Sequence, residues 1–174
     1  RPLEIEIGCG KGKFLLARAE RHGGRDFIGV DYAQKWLRRG KERGEKKSLQ
    51  NLRFIRSETR EFLLGVPFSV VDIFHIYFPD PWPKRRHQAR RLVTHDFLIL
   101  LYGRLKPAGL VEIATDNDCY FEAIRAAAEK TRPFWRSLRE SRNRRLAFED
   151  FKTNYELKYE AEARDLYYLE LCKR

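Results

Sequence analysis

The chain has 174 residues, a length that suits one domain of ordinary size better than two. Hydrophobic residues make up 43% and aromatic residues 13%, enough to bury a core, which excludes an intrinsically disordered chain. Lys and Arg number 36 against 25 Asp and Glu, and this formal charge of +11 points to a polyanionic partner. The three cysteines, Cys9, Cys119 and Cys172, lack the spacing of a zinc site or a disulfide framework, so a reducing, cytoplasmic setting and no metal are expected. No apolar run approaches the roughly 20 residues of a membrane span, and no start resembles a signal peptide, so no membrane partner is expected.

The chain opens on Arg1 and Pro2, almost directly on its first element, so a longer native N-terminus is expected. Leu3 to Ile7 alternates apolar and acidic residues before breaking into glycine, as a strand followed by a tight turn does. A helix from Lys13 to His22 stops at Gly23-Gly24. A strand over Asp26 to Val30 leads to Asp31, and a basic helix spans Gln34 to Lys47. Leu52 to Ile55 and Phe68 to Tyr77 read as the third and fourth strands. Leu92 to Leu105 reads as a helix closed by Lys106 to Gly109, then come a strand over Leu110 to Ala114 and a helix over Asp118 to Lys130. Late strands near Phe134 to Leu138 and Leu166 to Leu171 would pair as an antiparallel edge hairpin. Alternating strands and helices predict a single doubly wound α/β domain over 1–174 with a mostly parallel sheet.

In such folds ligands sit where strands end and glycine turns begin, which directs attention to Glu6-Ile7-Gly8-Cys9-Gly10-Lys11-Gly12. The spacing is GxGxG with Lys at 13, so the dinucleotide pattern is not met. Glu6 before the turn and Asp31 about 20 residues beyond it suit a nucleoside whose ribose needs acceptors. S-adenosylmethionine, cationic at sulfur and carrying an ammonium, favours such acidic neighbours. Glu58 is a third acidic candidate, and a helix cap explains it equally well. After the fourth strand, Phe78-Pro79-Asp80-Pro81-Trp82-Pro83 holds Asp80 between prolines of fixed φ. Five Lys or Arg follow within residues 84 to 91, which suits phosphates. Trp82 is suited either to stack on a base or to cover the sheet edge.

With EIGCGKG at 6–12, FPDPWPKRRH at 78–87, RRL at 90–92, ATD at 114–116 and TNYE at 153–156, the sequence resembles the bacterial tRNA (guanine-N7)-methyltransferases. The FPDPW string is close to diagnostic, whereas the glycine turn is common to many methyltransferases. The resemblance implies a Rossmann-like fold and methyl transfer from S-adenosylmethionine to the variable-loop guanosine of tRNA. It implies cofactor contacts at Glu6, Gly8, Gly10, Gly12, Asp31, Glu58 and Asp80, with Asp80 catalytic. It places substrate contacts at Lys84, Arg85, Arg86, Asp116, Thr153, Asn154, Tyr155 and Glu156. The chain departs from the family pattern at Asp31 and Glu58, where Glu and Asp are usual, and at Ala89, where a basic residue is usual.

Asp116 could equally cap the next helix, and Thr153 with Glu156 has the spacing of a capping box. Residues 130–145 read as a second phosphate surface or as a solvated face. A methyltransferase for another substrate and a catalytically silent RNA-binding module are the rival readings. The charge tells against the first and the intact acidic pocket against the second.

Overall fold

The computed structural model describes residues 1–146 and 151–174. In chain order it contains β1 (Leu3–Ile7), α1 (Lys13–Arg21), β2 (Asp26–Asp31), α2 (Gln34–Lys46), β3 (Leu52–Arg56), α3 (Thr59–Gly65) and β4 (Val71–Tyr77). Then follow α4 (His95–Arg104), β5 (Leu105–Thr115), α5 (Asp118–Lys130), β6 (Trp135–Arg142), α6 (Asn154–Ala161) and β7 (Tyr167–Lys173). Among the described residues the strands form one sheet in the order β3-β2-β1-β4-β5-β7-β6. β1 to β5 are parallel, and β7 is antiparallel to both β5 and β6, so the expected Rossmann-like architecture is present.

The late strands do pair antiparallel, but α6 lies between them in sequence and β7 inserts between β5 and β6. Composition explains the order. β7 is buried along nearly all its length, whereas β6, WRSLRESR, carries arginines and serines that suit an edge. The helix expected from Leu92 starts instead at His95, because the Thr94 hydroxyl accepts from the Phe97 N–H at 3.3 Å and caps it. Lys106 to Gly109, expected as a closing turn, already belongs to β5, whose register against β4 shifts between Val71 and Ile73.

Apolar layers cover both faces of the sheet. Phe97, Leu98 and Leu101 of α4 and Ile124 of α5 pack with Phe74, Ile76 and Val111. On the other face Phe14 and Leu15 of α1 and Leu37 of α2 pack with Phe27, Leu52 and Tyr77. Each fully buried side chain of this kind contributes about 1.5–3 kcal/mol. No described helix is long and apolar enough to cross a membrane.

The sheet order has one consequence for function. β1 and β4 are neighbours, yet the chain leaves β1 towards β2 and leaves β4 towards β5. At such a switch point the connecting loops diverge and open a crevice at the carboxyl ends of the strands. Residues 8–12 and 78–83, the two segments singled out in the sequence, both emerge there.

Candidate active site

Gly8, Gly10 and Gly12 turn the chain after β1 with φ of 73°, 53° and 66°, a region that side chains rarely tolerate. The N–H groups of Gly8 and Cys9 donate to the Val30 carbonyl at 2.8 and 3.1 Å, binding the turn to β2. Asp31 completes that tie, its Oδ2 accepting from the Gly10 N–H at 2.8 Å and its Oδ1 from the Ala33 N–H at 2.8 Å. A Cβ on Gly8 or Gly10 would meet nothing within 4 Å, whereas one on Gly12 would lie 2.5 Å from the Phe54 ring. Gly8 and Gly10 therefore border open space, and Gly12 serves packing.

Glu6, the last inward acid of β1, is 4% exposed, and its Oε2 has no hydrogen-bond partner among the described residues. Burial pushes its carboxyl up to about 8; the positive charges of His75 and Arg145 oppose this, and Asp31 and Glu156 add to it. A buried carboxyl with an unused oxygen is suited to a cationic ligand. Glu58 is exposed and caps α3, accepting through Oε2 from the Arg60 and Glu61 N–H groups at 2.8 and 2.9 Å.

Across the crevice, the 78–83 loop is pinned at both ends. The Phe78 N–H donates to the Ala114 carbonyl at 2.7 Å, and Arg91 Nε donates to the Pro81 carbonyl at 2.9 Å. Phe78 and Trp82 have φ of 54° and 42°, strained values of the kind that collect at functional loops. Between them Asp80 is exposed and has no hydrogen-bond partner among the described residues. The Arg90 guanidinium lies 5.0 Å from the Trp82 ring, and His87 meets it edge-on at 5.8 Å, so a base stacking there would share the indole. Lys84, Arg85 and Arg86 are exposed. Arg91, expected with them as a phosphate contact, is instead 8% exposed over Tyr120 and serves as a strut for the loop.

The downstream residues divide similarly. Asp116 pairs with Arg164 at 2.9 Å, and the cap of α5 is Asn117, whose Oδ1 accepts from the Tyr120 N–H at 2.8 Å. Thr153 and Glu156 form a reciprocal capping box at 3.1 and 2.7 Å. Glu156 is 1% exposed, pairs with Arg145 at 3.1 Å and accepts from the Tyr168 hydroxyl at 3.2 Å. Expected as a substrate contact, Glu156 is enclosed by the fold, and Thr153 is buried beside it. Asn154 and Tyr155 are exposed, and Tyr155 and Tyr159 pack on Phe78 at 6.1 and 5.5 Å between ring centroids, joining α6 to the 78–83 loop. In residues 130–145, Arg139 pairs with Glu170, Arg142 with Asp165 and Arg145 with Glu156, so that stretch offers fewer cations than its sequence suggests.

Sequence reasoning missed a buried ionic row beneath the crevice. Arg18 grips Glu4 through two bonds of 2.7 and 2.8 Å, and Arg25 reaches it at 3.0 Å. His75 Nε2 faces Glu4 Oε2 at 2.9 Å and its Nδ1 faces Glu112 Oε2 at 3.1 Å. Both ring nitrogens thus meet carboxylates, which favours an imidazolium donating from each, and the Tyr77 hydroxyl, 2.9 Å from Nδ1, is also bonded to Glu112. Burial presses the His75 pKa down, and the two carboxylates more than reverse that. Burial likewise pushes up Glu4 and Glu112, and their bonds to His75, with Arg18 for Glu4, hold both at about 2. The signal was the period-2 alternation of Glu4 and Glu6 in β1, which ordinarily puts acids towards solvent and here turns them inward.

The crevice at the β1/β4 switch point, its glycine turn tied to an acid ending β2, defines a Rossmann-like methyltransferase. The methyltransferase family model Methyltransf_4 matches residues 1–169. A tRNA (guanine-N(7)-)-methyltransferase of Geobacter metallireducens is 32% identical over 173 residues, 99% of this chain and 82% of that protein. One of Thermotoga maritima is 32% identical over 161 residues, 92% of this chain and 50% of that protein. The chain therefore belongs to the tRNA (guanine-N(7)-)-methyltransferase family, and it spans only about half the length of several relatives. Among solved structures, the precorrin-6y C5,15-methyltransferase of Geobacter metallireducens shares the fold with a TM-score of 0.68 at 12% identity, covering 99% of this chain and 80% of that one.

Proposed function

We propose that this protein transfers a methyl group from S-adenosylmethionine to N7 of a variable-loop guanosine in tRNA, acting in the cytoplasm. The observation that carries the reading is the meeting at one switch point of the Asp31-tied glycine turn and the pinned, proline-framed Asp80, with exposed cations directly beyond. The residues present fit the cofactor. The unused buried oxygen of Glu6 suits its ammonium, the open space beside Gly8 and Gly10 admits its body, and Asp31 and Glu58 offer acceptors to ribose and adenine. The cofactor supplies an electrophilic methyl on sulfonium.

Guanine N7 already exposes a lone pair, so no residue of this chain has to remove a proton before transfer. Asp80 therefore acts by position and charge: its carboxylate accepts from guanine donors or from the cofactor ammonium and offsets positive charge arriving on the ring. Lys84, Arg85 and Arg86 hold phosphates, Asn154 and Tyr155 border the entering base, and Asp116 contributes through the pair it makes with Arg164.

The test is incubation with methyl-labelled S-adenosylmethionine and unmodified tRNA, followed by mapping of the labelled base. Label in N7-methylguanosine is expected, together with binding but no methylation of tRNA carrying 7-deazaguanosine, which lacks the nucleophilic nitrogen. Transfer to that tRNA at a normal rate would assign the chemistry to another atom. Asp80→Ala is expected to lower turnover far more than tRNA affinity, because phosphate contacts dominate binding. An Asp80→Ala enzyme with full turnover would remove the loop from the reaction.

A further inference from the structure

We propose that the Lys35-Arg39-Arg43 face of α2, together with Lys11 of the glycine turn, is a second RNA-backbone contact surface, on the opposite side of the crevice from Lys84 to Arg90. It rests on the tRNA reading above and adds a docking surface to it. α2 carries two kinds of cation. Arg38 pairs with Glu42 at 3.5 Å and Lys41 with Glu45 at 3.9 Å, each one turn along the helix. Lys35, Arg39 and Arg43, also spaced four apart, line up with one another, are exposed, and pair with no carboxylate among the described residues. Like charges at this spacing disfavour a helix. No carboxylate among the described residues offsets them, which leaves them available to an external anion.

The crowding is greatest around Trp36. Lys11 Nζ lies 4.6 Å from the centre of its ring, Lys35 Nζ 5.4 Å and the Arg39 guanidinium 5.2 Å. One indole is shared by three cations. Beside it Tyr32 is 71% exposed, with the Arg56 guanidinium 5.4 Å from its ring. Aromatic surfaces interleaved with unpaired cations match a nucleic-acid strand, with phosphates meeting the charges and bases meeting the rings.

Position supports the assignment. Lys11 follows the carboxyl end of β1, Tyr32 and Lys35 follow that of β2, and Arg56 ends β3, whereas Lys84 to Arg90 follow β4. With the order β3-β2-β1-β4, the two basic groups flank the crevice. A strand that places one base in the crevice continues in both directions, so cations on one side only would hold half of its backbone. The charge therefore lies where the geometry of the substrate requires it.

The experiment measures tRNA binding to the whole chain across a range of salt, for wild type, Lys35→Gln/Arg39→Gln, Lys84→Gln/Arg85→Gln and all four changes together. Each cation that no longer meets a phosphate is expected to flatten the slope of log affinity against log salt by about 0.7–0.9. Each pair should remove up to about twice that, and the four changes should add. Calorimetry with S-adenosylhomocysteine should show unchanged affinity in Lys35→Gln/Arg39→Gln, and Arg39→Lys should keep the wild-type slope. A Lys35→Gln/Arg39→Gln protein whose slope is unchanged overturns the surface while leaving the functional reading intact. So does one that loses binding to phosphatidylglycerol vesicles but not to tRNA, or one that loses S-adenosylhomocysteine as strongly as tRNA. A wild type that does not bind tRNA overturns the functional reading and this inference together.

Discussion

The Glu6 carboxyl, raised to about 8 by burial, holds its proton in the free protein near neutrality. Pairing with a ligand ammonium favours the ionised form, so cofactor binding should release a proton. Calorimetry in buffers of different ionisation enthalpy is expected to show up to about one proton leaving per cofactor bound at pH 7, with affinity rising as pH approaches about 8. Glu6→Gln should abolish the release and weaken binding by about 1.5–3 kcal/mol, the loss of a charge-assisted bond. Unchanged proton release in that variant would separate Glu6 from the cofactor. Asp31 differs in kind. Both of its oxygens already hold backbone N–H groups of the turn, so removing its carboxylate loosens the site as well as taking away an acceptor for the ligand.

At the level of elements, the 78–83 loop keeps its strained shape because neighbours at both ends restrain it, and Arg91 is one of those restraints. Arg91→Ala is therefore expected to lower turnover while leaving the salt slope of tRNA binding unchanged, since its guanidinium lies on Tyr120 and the Pro81 carbonyl and reaches no phosphate. A slope flattened as much as for Lys84→Gln would return Arg91 to the basic surface. Sequence placed the strands, the glycine turn and the proline-framed loop because each follows from local chemistry: β-branched runs, φ that only glycine adopts easily, φ that proline fixes. It could not tell Arg91 from Arg90, or Arg145 from Arg144, because which arginine turns inward depends on side chains far away in the chain. Tyr120 decides it for Arg91, and Phe14, Tyr77 and Glu156 decide it for Arg145. Glu156 was legible as a cap, and its burial against Tyr168 of β7 was not.

Across the whole molecule, the buried row gives folding and binding opposite responses to pH. Glu4 and Glu112 are held at about 2, below their ordinary 4.5, so their stabilisation is complete above about 4.5 and is lost as pH falls towards 2. His75 is raised above 6.5, so its contribution is complete below that value and disappears as pH rises through its folded pKa. Glu6, raised from 4.5 to about 8, costs nothing below 4.5, and its penalty grows as pH climbs from 4.5 and is complete by about 8. Glu4, Glu112 and His75 therefore favour the fold together between about 4.5 and 6.5, while Glu6 opposes it increasingly across that interval. Denaturant unfolding of the free protein should accordingly be most resistant at the acid end of that window, near pH 4.5, and weaken on both sides, and Glu6→Gln should flatten the fall between about 4.5 and 8 without moving the acid limb. His75→Ala removes the cation between two buried carboxylates and should cost about 3–5 kcal/mol within the window, falling at low pH as Glu4 and Glu112 take up protons. Stability of the free protein that rises from pH 6 to 9 would contradict an imidazolium at His75. Cofactor affinity should rise over that same alkaline interval, because the charge that weakens the empty fold is the charge that the ligand's ammonium pairs with at Glu6.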